Sequence, residues 1–308
     1  MIFQCYAIDP NVFETQKDFV DLFERFGASS PQRLIMATPR KHWERSLFQR
    51  LKKVSVTEKK RKRYVEFLKK LRYEKRLVPC GGNSDVNEMW LSQHKDELLS
   101  GDALGIFVSD ENVDIDSQLY SWSDPVTEGP VSWQASNSSI DLTADSIGHA
   151  LVSLIKVSSE FHLIDPYIWP HSGDPWRSTE PILRAICRDI QDGSGSGSQK
   201  TLTIHTSDKK AGLQSQLDTN LWWSNDITEA FPNVSLKFKV WPKDREHDRF
   251  FFTDRGGVSF SNSFQEKQDE KCEVAAISLE RLRDLRRKYC HSEAEVCEQA
   301  VVKAEAQV

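Results

Sequence analysis

The residues best able to do chemistry lie in one run, Glu246 to Asn262, which reads EHDRFFFTDRGGVSFSN. His247 to Thr253 alternates as a strand does, so His247 and Arg249 point the same way, because side chains i and i+2 share a face. A histidine beside a fixed cation makes a workable phosphate site. The guanidinium offers planar, permanently charged donors that match phosphate oxygens. The imidazole can attack phosphorus or move a proton. Phe250 and Phe252 face the opposite way and lock the strand into a core. The turn signal Asp254-Arg255-Gly256-Gly257 brings Val258 to Ser261 back as a short strand. Ser259, Ser261 and Asn262 can then add neutral donors to the same oxygens. A His-x-Arg pair alone is common on salt-bridged surfaces, and it is the spaced Asp, Gly-Gly, Ser and Asn that make this one a candidate.

Strands alternating with helices must position this run. The apolar spacing of Ile147, Leu151, Leu154 and Ile155 predicts a helix over 143–157. A buried strand at Phe161–Ile164 is closed by Asp165-Pro166. A helix over 179–190, a strand at Thr201–His205, a helix over 210–230 and a strand at Val234–Trp241 follow. Helices over 278–288 and 292–304 come after the candidate run. This alternation predicts an α/β layer fold. Asp165 and Tyr167 fall at the carboxyl end of a strand, where ligand sites of such folds collect. Their plainer reading is a helix cap and a packing ring. His149, His162 and His205 read as core or surface residues, and Gly193 to Ser198 as a flexible Gly-Ser loop.

The pattern His247-x-Arg249-x4-Asp254, then Gly256-Gly257, Ser259 and Asn262, resembles the HxK-x4-D…G-S-x-N motif of the phospholipase D superfamily. It is most similar to the phospholipase-D-like C-terminal domain of MIT-domain proteins and its prokaryotic relatives. Ile164-Asp165-Pro166-Tyr167-Ile168 and the Leu202–Thr206 strand carry the likeness too, as does the order of elements. It covers about residues 143–265, some two-fifths of the chain. The family's lysine is Arg249 here, which keeps the charge and changes the reach. His94-Lys95-Asp96 is contiguous, so it lacks the motif's spacing.

The resemblance implies a mechanism. His247 attacks the phosphodiester and forms a phosphohistidine, and His247 of a second subunit protonates the leaving oxygen and then activates water. Arg249 and Asn262 hold the phosphate with Ser259, and Asp254 orients or polarises a histidine. Members with one motif copy pair two chains, so a homodimer is implied, with no metal and no cofactor. In the MIT-linked subgroup phospholipid binding is the usual role. The enzyme reading is a nuclease or phosphodiesterase, with antiviral defence suggested by the prokaryotic relatives alone. Its rival is a non-catalytic module that binds nucleic acid or anionic phospholipid.

The first hundred residues read as a smaller α-rich (α+β) domain. A strand at Ile2–Ile8 precedes a helix opened by Asp9-Pro10 and running to Arg25, with Phe13, Phe19, Leu22 and Phe23 near helical spacing. Helices follow over 41–54 and from a Thr57 cap, the latter with Tyr64, Phe67, Leu68 and Leu71 on one face. Another starts near Asp85 or Asn87. Residues 40–76 hold 16 Lys/Arg against 4 acids, and residues 96–155 hold 11 acids with no Lys or Arg. The net charge of −5 over 308 residues conceals this split. Lys59, Lys60, Arg61, Lys62 and Arg63 form the densest cationic run, which attracts polyanions through its local field. Nucleic acid is the first partner it suggests, an anionic membrane surface the next, and a partner protein the third. A solvated helical face is the bland alternative. Residues 101–142 read as an acidic connector or flap with one or two strands, and the phospholipase-D-like domain takes 143–308.

No apolar run approaches the ~18–20 residues of a membrane span. The N-terminus has no basic region followed by an apolar one, as a secretory signal would. The six cysteines are dispersed without a CxxC pair, which argues for reduced thiols and a cytoplasmic setting. Cys290, His291 and Cys297 are one loose group where zinc sites use two close pairs.

Overall fold

The structure is a computed structural model that describes residues 2–37, 40–78, 105–108, 119–120, 122, 137–168, 174–193, 198–208, 222–242, 249–290 and 298–302. The chain divides into two units, Phe3–Ala135 and Ser136–Val308, the second including Met1–Ile2. Both are α/β.

In the first unit β1 (Gln4–Ile8) leads to a single 3-10 turn (Pro10–Val12), α1 (Gln16–Phe26) and β2 (Arg33–Met36). Then come α2 (Arg40–Lys53), α3 (Glu58–Tyr73), β3 (Leu77–Val78), β4 (Gly105–Val108) and β5 (Leu119–Tyr120). The expected helix from Asp9 is interrupted. The Asp9 carboxylate accepts from Asn11 N and caps only the short turn. Thr15 then starts α1 through a capping box with Asp18, satisfying two orphan backbone donors reciprocally. α3 follows its expectation: Thr57 caps it, and Tyr64, Phe67, Leu68 and Leu71 are its buried stripe. It ends in a Schellman motif, with Arg76 N bonded to Leu71 O, Lys75 N to Arg72 O, and Lys75 at φ 54°.

All five strands run parallel in the order β3-β2-β1-β4-β5. The direction of winding therefore reverses between β1 and β4, as in doubly wound sheets. β4 and β5 lie in the stretch read as connector, and Trp122 from it is in the core with Phe13, Phe19 and Trp43. Both strands fall where one or two strands were expected, and at two to four residues each they carry little periodicity. Arg76, counted in the cationic segment, is buried and donates to Ser30 O and Arg33 O. Burial lowers it to about 10.

The second unit runs β6 (Asn137–Asp141), α4 (Ala144–Lys156), β7 (Phe161–Ile164), α5 (Asp174–Asp192), β8 (Lys200–Asp208), α6 (Trp222–Ala230) and β9 (Val234–Pro242). It continues with β10 (Phe250–Thr253), β11 (Gly257–Phe260), β12 (Lys271–Ala276), α7 (Leu279–Cys290) and β13 (Glu298–Val302). The mixed sheet has the order β13-β9-β8-β7-β10-β11-β12-β6. β7, β8 and β9 are parallel, while β10, β11, β12 and β6 pair antiparallel. One face packs on α7 through Ile164, Phe250, Phe252, Leu282, Leu285 and Tyr289. The opposite face carries Leu163, Phe251, Ile204 and Phe238, all fully buried.

Two expectations fail here. The helix expected over 292–304 is at Glu298–Val302 a strand antiparallel to β9, so pairing overrides the local preference of its Glu, Gln and Ala for helix. β12 was not foreseen, although Lys271 and Glu273 are exposed where Cys272 and Val274 are buried. The helix start near Asp85 or Asn87, the His94–Asp96 triplet, residues 209–221 and the Cys290-neighbouring 291–297 stretch lie outside the described residues.

Candidate functional site

β10 begins at Phe250, and His247 lies outside the described residues. Arg249 is described. Its carbonyl accepts from Phe260 N, which seats it against β11 just before β10 starts. Phe250 and Phe252 face α7, as alternation requires, and Arg249 faces away from it. Its guanidinium lies over the Tyr167 ring, 5.4 Å from the centroid, and Arg249 Nε is buried without a hydrogen-bond partner among the described residues.

Beside it is Asp165, just past the end of β7 and fully buried. Its Oδ1 accepts from Tyr167 N at 2.9 Å, and its Oδ2 from Ser263 Oγ at 2.5 Å and Phe264 N at 2.8 Å. Burial pushes the carboxyl up; these donors and the Arg249 charge oppose that. Asp165 therefore braces the 165–168 turn against the 261–264 loop, close to the plain reading of a cap. Tyr167 is partly exposed and forms one wall beside the Arg249 cation.

The other expected residues are elsewhere. Asp254 lies just past β10, five residues from Arg249, or about 17 Å at strand rise. Its carboxylate accepts from Ser159 N (2.9 Å), Ser159 Oγ (3.0 Å) and Glu160 N (3.3 Å). It caps the loop entering β7 and does not reach the Arg249 end. Ser259 pairs directly with Phe250, so it shares the α7 face and not that of Arg249. Its hydroxyl donates to Ala275 O at 3.3 Å. Asn262 Nδ2 donates to Lys271 O at 2.9 Å and joins the β11–β12 edge. Gly257 has a packing reason: a Cβ there would meet Ile277 Cδ1 at 2.6 Å and Phe252 Cβ at 2.8 Å.

The α7 face holds a polar chain that the sequence did not single out. Trp241 Nε1 donates to His205 Nδ1 at 3.1 Å, His205 Nε2 meets His162 Nδ1 at 3.1 Å, and His162 Nε2 meets Cys290 Sγ at 3.5 Å. An indole N–H can only donate. His205 must then accept on Nδ1 and carry its proton on Nε2, which it gives to His162 Nδ1. His162 is left with its proton on Nε2, facing the sulfur. Burial lowers His162 to about 3, with Arg286 and Lys239 adding to it, and burial drives His205 well below its ordinary value. Both rings are neutral. Burial also raises the Cys290 thiol, against the pull of Arg286 and Lys239. A metal ion between Cys290 and His162 would need the His162 Nε2 lone pair, which this arrangement protonates. The described residues contain no cluster of three or more metal-ligating side chains. Alternation along FHLI and TLTIH puts both histidines on one face. The strand order that brings Trp241 alongside is not in that signal.

The cationic run lies along the first two turns of α3. Lys59, Lys60, Lys62 and Arg63 are exposed. Among the described residues none of them is in an ion pair, whereas Arg61 pairs with Glu58 at 3.4 Å. Trp43 and Tyr64 are buried and pack. Tyr73 is 86% and Phe23 45% exposed.

No family model matches the chain, and no curated protein matches it. Among solved structures, that of TrmBL2, an archaeal chromatin protein described as showing a novel mode of DNA binding, is similar over 53% of this chain at 10% identity. The match spans 55% of that protein's length, with a TM-score of 0.27. A score this low carries no argument about this chain. Among the described residues no helix is long and apolar enough to cross a membrane.

Proposed function

We propose that the second unit is a phospholipase-D-like phosphodiesterase that acts on nucleic acid through His247, without metal and as a homodimer, and that the α3 surface of the first unit binds the same polyanion. The observation that carries it is Arg249. Its guanidinium sits at the carboxyl end of the central strand β7, over Tyr167, with a buried N–H that has no acceptor among the described residues. A permanent cation beside a strand's carboxyl end suits a phosphate oxygen. The strand–helix alternation of the unit supports the same reading. A cytoplasmic setting and a role in prokaryotic antiviral defence belong to this proposal, the dispersed cysteines supporting the first and the family resemblance the second.

The test is cleavage of DNA, RNA and a generic phosphodiester in EDTA, wild type against His247→Ala. Activity in EDTA that disappears in the variant is expected. No turnover of any substrate with phosphate binding retained selects the second reading, a non-catalytic module for nucleic acid or anionic phospholipid. One observation favours that alternative: Asp254, Ser259 and Asn262 are all engaged in holding the sheet together.

A further inference from the structure

α1 and α3 enclose a groove of about 500 Å³ on the first unit. Phe23, Phe67 and Leu71 line its floor, and Lys59, Lys62 and Arg63 stand on its rim. A second hollow of about 290 Å³ lies against Phe23 too and shares Arg63 with the first, adding Lys60. Phe23 thus borders both hollows. Its ring is 4.8 Å from that of Phe67, which holds it from below while leaving it 45% exposed.

The charges have a local cost that packing does not explain. Cations in the first turns of a helix oppose its dipole, and acids would be favoured there. Five consecutive cations occupy those turns of α3, with Glu58 the one acid of the first turn. The acids on the groove's rim are already matched: Glu66 with Lys69 at 2.8 Å and Glu74 with Lys70 at 3.8 Å. The cations left over lie beside the exposed ring, where the α3 dipole also favours an anion.

We propose that this groove binds single-stranded nucleic acid, with a base stacked on Phe23 and flanking phosphates held by Lys59, Lys62 and Arg63. The proposal rests on the nucleic-acid reading above and narrows it. Exposed aromatics flanked by cations are how strands are held through stacking and backbone charge together. A duplex keeps its bases stacked inside and would use the cations while leaving the apolar floor empty. An anionic membrane would meet the rim and leave the recessed floor untouched.

The experiment uses the full chain carrying His247→Ala, so that cleavage does not disturb the reading. Labelled single-stranded DNA and RNA, the matching duplexes, and phosphatidylserine–phosphatidylcholine vesicles are titrated in EDTA. Single strands are expected to bind more tightly than duplexes. Phe23→Ser should weaken single-strand binding about 5- to 100-fold and leave duplex binding unchanged. Phe23→Tyr, which keeps a stacking ring, should restore it. Reversing Lys59, Lys62 and Arg63 to Glu should remove binding and flatten a salt slope of about −2. Unchanged single-strand affinity in Phe23→Ser, a preference for duplex, or binding to vesicles in place of oligonucleotides overturns the proposal. Cleavage by the chain with His247 intact is measured separately, so failure of the groove and failure of the phosphodiesterase are told apart.

Discussion

The two ends of β10 treat their charged residues in opposite ways. At the Asp254 end each carboxylate oxygen has donors from the loop before β7, and Arg286 closes the same corner through Thr253 O (3.4 Å) and Glu160 (2.8 Å). At the Arg249 end the guanidinium rests on an aromatic ring and, among the described residues, keeps a buried donor without an acceptor. Both ends fall within one sequence motif, yet among the described residues one is closed on itself and the other holds a donor without an acceptor. A polar group whose partners are all supplied by the fold contributes to stability. One left with an unused donor can still contribute to binding.

Breaking the closed regions should cost stability and little else. The largest effect is on the neutral His162–His205 pair. The unfolded chain protonates its histidines below pH 6.5, while folded His162 stays neutral down to about 3. Stability is therefore complete above pH 6.5 and falls as pH drops, by about 1.4 kcal/mol per unit for His162 alone. Urea unfolding midpoints between pH 7 and 4 should show this slope, and His162→Asn should reduce it. Next, Asp254→Ala should destabilise by about 1.5–3 kcal/mol, because Ser159 and Glu160 lose a buried, charged acceptor. Phosphate affinity at the other end of the strand should stay unchanged. If instead Asp254→Ala abolishes activity at unaltered unfolding midpoint, the contrast between the two ends is wrong.

Changes at the open end should do the reverse. Arg249→Ala should remove nucleotide or phosphate binding, read by calorimetry, with a smaller loss of stability than Asp254→Ala. Arg249→Lys should restore it only in part, because the planar fork is lost. Smallest of all, Tyr167→Leu should cost about 0.5–1 kcal/mol of stability, the size of an exposed cation–π contact, and weaken the same ligand only slightly by loosening Arg249.

Much of this was legible residue by residue. The Thr57 cap and the buried stripe of α3 follow from spacing alone, as do β7 and the opposed faces of Arg249 and Phe250. Each depends on contacts within a few residues. Asp254 was misplaced because its partners, Ser159 and Glu160, are some 95 residues earlier in the chain. The face of Ser259 depends on its pairing with Phe250, which the turn's length sets. Phe23 has core spacing, but spacing does not say how far α3 covers α1. The histidine chain needs β7, β8, β9 and α7 side by side, and strand order is a tertiary fact that periodicity does not encode.

The position of β6 has a consequence for how the protein is made. Among the described residues its only partner is β12, with Ser138 opposite Val274 and Asp141 opposite Lys271. The first strand of the second unit thus waits at the growing chain's exposed side until the strand more than a hundred residues later has left the ribosome. β1, β2 and β3 have no such wait, since all three emerge within the first 78 residues. Because non-local pairing is slow and domains form as units during synthesis, a ribosome paused between residues 142 and 270 would hold β6 as an unpaired edge. That interval is where a holding chaperone would have most to protect.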